Sequence, residues 1–151
     1  MTNQKTIEVL QFFVDALTNG ANAHMLQGKV FGALGFGKLA EKYKAHYDEE
    51  MGWVSQFLDR IADLGGETKL GAQEPIAVVK NPVAYLEMEL KAQAEGVALL
   101  RKCMGEIADD YTTLDILKAY LKDEEEDLYW MEAQKELIGL IGEQNWLLQQ
   151  L

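Results

Sequence analysis

With 151 residues, a formal charge of −11 and 25 acidic against 14 basic side chains, the chain is long enough to fold as one domain, residues 1–151, with its own core. No basic stripe marks a nucleic-acid surface, and no apolar run approaches the length of about 18 residues that a membrane span needs. The start, MTNQKTIEVLQFF, lacks the basic and apolar regions of a secretion signal, and the single Cys103 excludes an internal disulfide; together they point to a reducing, cytoplasmic setting.

Leu, Ala, Glu, Lys and Gln dominate, and no segment alternates apolar and polar residues as a strand does. The class is all-α. The first helix is expected from about Asn3 to Gly32, with Ile7, Leu10, Val14, Leu17, Ala21, His24, Gly28 and Phe31 facing inward. Gly28, Gly32, Gly35 and Gly37 cluster near its end, suited either to close approach of a neighbouring group or to a loosened helix terminus.

The second helix is expected from about Phe36 to Leu64, stopped by Gly65-Gly66, with His46, Glu50, Trp53 and Phe57 on its inward row. Gly65 to Lys80 has little helical character. A segment of roughly 16 residues can reach about 53 Å, more than the length of about 42 Å of a helix of roughly 28 residues, so it can run back along a bundle. Asn81-Pro82 reads as a cap followed by proline at the first helical position. The third helix then places Leu86, Leu90, Gln93, Val97 and Leu100 inward, and the fourth opens near Thr112 or Thr113 and carries Tyr120, Glu124, Asp127, Met131 and Ile138 inward. After Gly142, EQNWLLQQL is a short amphipathic tail and a candidate fifth helix.

Gln93, Glu50, Glu124 and Asp127 therefore fall on core positions near mid-bundle. Buried carboxylates need pairing, protonation or a cation, so their convergence points to a metal ligand set. Against it, Asp123 to Asp127 are all acidic, and such a run commonly lies on a solvated face. In an antiparallel hairpin, facing positions keep a constant summed number, which pairs Leu17 with Trp53 and His24 with His46. A displaced site for iron or another divalent metal, built from His24, His46, Glu50 and Asp127, is one reading; a hydrogen-bonded histidine pair is the other.

Glu50-Met51-Gly52-Trp53 and Glu124-Glu125-Glu126-Asp127 look like paired Glu-x-x-His motifs without their histidines. With FGKLAEKYKAHYDEEMGWVSQFLDRIADLGG and LKDEEEDLYWMEAQKELIGLIGEQNWLLQQL, they make the chain resemble the bacterioferritin family over nearly its whole length. The resemblance implies a ferritin-like four-helix bundle with a long crossover between helices two and three and a short fifth helix. It also implies a homodimer, a larger hollow cage, and a di-iron centre with one glutamate from helices one and three.

Carried over, those ligands become Leu17, Glu50, Trp53, Glu124, Asp127 and a third-helix residue at or beside Gln93, with Glu89 and Glu95 close by. Only Glu50 and Glu124 persist, so standard ferroxidase activity is expected to be absent. The family's haem-binding methionine falls at Met51, which implies haem held at a two-fold subunit interface; a Met that merely packs such an interface is the alternative.

Overall fold

The structure is a computed structural model and describes residues 2–151. Five helices follow in order: α1 (Thr2–Ala33), α2 (Gly37–Asp63), α3 (Pro82–Glu106), α4 (Tyr111–Ile141) and α5 (Glu143–Leu148). Local chemistry sets their ends. Gly65, at φ +80, terminates α2 with Gly65 N–H bonded to Ala62 O and Gly66 N–H to Ile61 O, the paired closure that a left-handed glycine permits. The Asn81 side chain accepts from the N–H groups of Val83 and Ala84 ahead of Pro82. The fourth helix starts one or two residues earlier than its threonines suggest, because Asp110 is the cap: it accepts from Thr113 N–H, and the Thr113 hydroxyl donates back to it.

Cross-helix contacts fix the directions. Lys5 with Glu106 and His24 with Glu89 make α1 and α3 antiparallel, and Arg60 with Asp110 and Trp53 with Asp123 do the same for α2 and α4. Helices one and four therefore run one way, and two and three the other. This is the up-down-down-up order that a long crossover produces.

The crossover is held by one polar row on α1. Gln11 donates to Lys69 O, Asp15 accepts from Gly71 N–H at 2.7 Å, and Asn19 accepts from Glu74 N–H at 3.2 Å. Gln27, 1% exposed, both donates to and accepts from the backbone of Val79. Gly71 is required by this arrangement, since a Cβ there would lie 2.6 Å from Asp15 Oδ2. Gly28 and Gly32 let α2 approach within the chain, with Cβ positions 3.4 Å from Ala40 O and Ala40 Cβ respectively.

Two apolar cores result. One gathers Leu10, Val14, Leu17, Phe57, Leu100 and Leu117 toward the α2–crossover end; the other gathers Phe31, Leu39, Tyr43, Leu86, Met131 and Trp146 toward the α1–α2 turn. The short α5 closes the second through Trp146, whose indole N–H donates to Gln134 Oε1 at 2.8 Å. The polar residues of the sequence pattern lie in the layer between the cores.

Replacing Gln27 by Leu leaves the Val79 amide and carbonyl without their partner, and a stability loss of about 1–3 kcal/mol is expected. Urea unfolding should show a lower midpoint at unchanged slope. The exposed Gln4→Ala change should stay within about 0.5 kcal/mol.

Candidate metal centre

The layer has two levels. At the first, Leu17 is buried in the apolar core and offers no donor atom. Trp53 is packed at 5.5 Å from the Tyr120 ring, and its indole N–H donates to Asp123 Oδ2 at 2.9 Å. Gln93 donates its amide to both the Glu124 backbone oxygen, at 2.9 Å, and Glu124 Oε2, at 2.8 Å. Burial and then the neighbouring Asp127 push the Glu124 carboxyl up to about 8, so it is largely protonated at neutral pH. Three of the six positions that the resemblance assigns to a carboxylate-bridged metal pair are thus an aliphatic group, an indole and an amide already in use. These residues do not fit a dinuclear centre.

At the second level, toward the α1–α2 turn, His24 of α1 lies between two carboxylates. Its Nδ1 is 2.5 Å from Glu50 Oε1 on α2, and its Nε2 bonds Glu89 Oε1 on α3. Burial by itself lowers the His24 pKa, but the hydrogen bonds to Glu50 and Glu89 override it and raise the group to about 10. His24 is therefore an imidazolium donating from both nitrogens. Glu89 also accepts from the Tyr85 hydroxyl at 2.6 Å. Gly20 leaves the α1 surface open here: a Cβ on it would stand 3.4 Å from Glu50 Oε2.

The His46 ring centre is 5.3 Å from that of His24, so the pairing of the histidines by hairpin register is met. The bond between them that a histidine pair would make is absent, because His24 is spent on carboxylates. His46 Nδ1 faces Asp127 Oδ2 at 3.7 Å, and Nε2 is buried without a partner. Burial first, then the charges of His24 and Lys42, lower His46 to about 4 and keep it neutral. Burial and then Asp123 and Glu49 raise Asp127 to about 7.

Glu50, Glu124, Asp127, Gln93, His46 and His24 all lie in this layer, but on two levels. The acidic run divides: Glu126 is exposed, whereas Glu124 and Asp127 turn inward. Met51 is half-buried, with part of its side chain against the first core. Of the two glutamates flanking Gln93, Glu95 is exposed and Glu89 joins the second level. The antiparallel packing of α1 on α3 pairs Glu89 with His24, a contact between helices distant in the chain that no local sequence signal marks. A second acidic group, Glu49, Asp123 and Asp127, sits on the α2–α4 face.

The pH response follows from these shifts. Glu124 holds its proton more tightly folded, at about 8, than at its ordinary 4.5; its contribution is full below pH 4.5 and is lost as pH rises through 8. His24 has the same sign, full below 6.5 and lost through about 10, whereas His46 contributes above 6.5 and loses that as pH falls through about 4. Thermal midpoints are expected to fall on the alkaline side, with Glu124→Gln flattening the part between pH 4.5 and 8 and sparing the loss toward pH 10. An unchanged Glu124→Gln profile contradicts the protonated Glu124.

Residues 14–141 match the ferritin-like domain model of the ferritin family. The chain is similar to the bacterial ferritin of Neisseria meningitidis serogroup B, at 31% identity over 152 residues, covering 99% of this chain and 98% of that one. It is 32% identical to the bacterial ferritin of Synechocystis sp. over 131 residues, covering 85% and 84% of the two chains. It is also 27% identical to the bacterioferritin of Brucella melitensis over 145 residues, covering 94% and 89%. A shared up-down-down-up bundle, a crossover of the right reach and a family match over most of the length give one conclusion: the chain belongs to the ferritin family.

Proposed function

We propose that this chain is an iron-handling subunit of a ferritin-like homodimer or cage, a single ferritin-like domain that lacks standard ferroxidase activity and binds haem through Met51 at a two-fold subunit contact. The observation that carries the loss of ferroxidase activity is the filling of the metal-pair positions by Leu17 and by a Trp53 hydrogen-bonded to Asp123. The names of the relatives, bacterial ferritin and bacterioferritin, support the iron-handling role.

The haem reading rests on the outer face of α2. A groove of about 580 Å³ runs between α1 and α2, walled by Gly28, Gly32 and Ala40 and by Lys44, Tyr47 and Asp48. Met51 continues the Lys44–Asp48 stripe by helical spacing, one residue off the inward row. Two such faces across a two-fold axis offer two equivalent thioethers, and Lys29 and Lys44 offer cations for the porphyrin carboxylates. Haem held there would supply one-electron chemistry, with the Met51 thioethers and the Gly28, Gly32 and Ala40 wall as the residues that would hold it. The cytoplasmic setting accords with the one cysteine, half-buried Cys103.

Two measurements test this. Mixing the protein with Fe²⁺ and oxygen should give iron oxidation no faster than buffer, and rapid saturable oxidation of two irons per chain would sink the loss of ferroxidase activity. Haem-loaded protein should show a low-spin Soret spectrum that Met51→Leu removes. If the spectrum survives that change the ligand is elsewhere, and if no haem binds, a structural cage subunit is the remaining reading.

A further inference from the structure

We infer that His24, His46 and Glu50 form a mononuclear site for a divalent transition-metal ion, displaced along the bundle from the family's metal-pair positions and open to a cleft between α1 and α3. One nitrogen of each histidine and one Glu50 oxygen lie within 4.8 Å of one another. Tetrahedral bonds of about 2.0–2.2 Å to nitrogen and oxygen ask for a rearrangement of groups that close, and the ion takes the place of the His24 Nδ1 proton held against Glu50 Oε1, which leaves to solvent.

The independent observation is His46 Nε2. His46 is 4% exposed, and this nitrogen has no hydrogen-bond partner, although a buried polar atom left unmade is costly. A neutral imidazole nitrogen with an unused lone pair, beside a second imidazole and a carboxylate, is the donor set of a metal ligand. The surroundings agree. Metal-bound histidines characteristically direct the other ring nitrogen at a carboxylate. Here the second nitrogen of His46 faces Asp127, and that of His24 bonds Glu89, itself fixed by the Tyr85 hydroxyl. Glu50 thus bonds as third ligand, with Glu89 and Asp127 as the outer carboxylates.

Access and coordination number follow from the cleft. A cleft of about 420 Å³ lies between α1 and α3, with the small residues Gly20, Ala23, Ala92 and Gly96 along its sides and His24, Glu50 and Glu89 at its floor. Two of the three protein ligands, His24 and Glu50, line this opening, which leaves a fourth position for water or a small molecule, the arrangement of reactive rather than purely structural metal sites. Two imidazoles favour zinc, iron, cobalt or nickel over magnesium and calcium.

The test is titration of the metal-free full chain with Co²⁺, read by visible d–d absorption and by stoichiometry after dialysis, and repeated with Zn²⁺. One ion per chain with four- or five-coordinate bands is expected. His46→Gln should abolish it, Glu89→Gln should weaken it about 10–100-fold, and Glu49→Gln should leave it intact. Circular dichroism and thermal melting confirm that each variant is folded; if His46→Gln is not, Glu89→Gln decides. A folded wild-type chain without stoichiometric metal overturns the site, and so does binding that both His46→Gln and Glu89→Gln leave unaltered. Loss in Glu49→Gln alone also overturns it, because the ion then sits in the Glu49–Asp123–Asp127 group. The Soret measurement reads haem separately, so either reading can fail without the other.

Discussion

The bridge from Glu50 through the His24 imidazolium to Glu89 is the constraint around which the middle of the bundle is arranged. It places charge from three helices between two apolar cores, where charges survive only when mutually satisfied. Its neighbours are set accordingly. Gly20 gives Glu50 room, the Tyr85 hydroxyl occupies a lone pair of Glu89, and His46 stays neutral beside a positive ring. The α1–α3 face, which this bridge spans, is also the face that carries the cleft.

The polar groups of the middle layer are staggered toward one end of the bundle. Two turns beyond Leu17 on α1 stands His24; Glu89 stands one turn before Gln93 on α3, and His46 one turn before Glu50 on α2. Because α1 and α4 run opposite to α2 and α3, all these displacements, and that of Asp127 from Glu124, point to the same end of the bundle. The first level is filled by apolar bulk and side-chain hydrogen bonds: Leu17 in the core, Trp53 on Asp123 and Gln93 on Glu124. The first level is mostly apolar and internally hydrogen-bonded, and the second brings nitrogen and oxygen donors together.

The first helix serves several contacts at once. Its inward row builds the cores and supplies His24, its polar row from Gln11 to Gln27 holds the crossover, and Gly28 and Gly32 set the spacing to α2. That close spacing places the α1–α2 groove beside the Lys44–Asp48 stripe. The groove and the cleft are consequences of how α1 is packed on its two sides.

Helical class, helix order, the crossover and the inward placement of His24, His46, Glu50 and Glu124 were legible in the sequence, because helical periodicity and glycine, proline and asparagine signals are local. Even the His24–His46 encounter followed from register in a single hairpin. What the tertiary structure decided was partnership between helices distant in the chain. Glu89 rather than Gln93 meets His24, Asp127 flanks His46 without reaching hydrogen-bond distance, and Trp53 spends its donor on Asp123. Protonation was likewise decided there. A histidine at about 10 and another at about 4 have the same side chain, and only burial and the charges packed around each ring separate them.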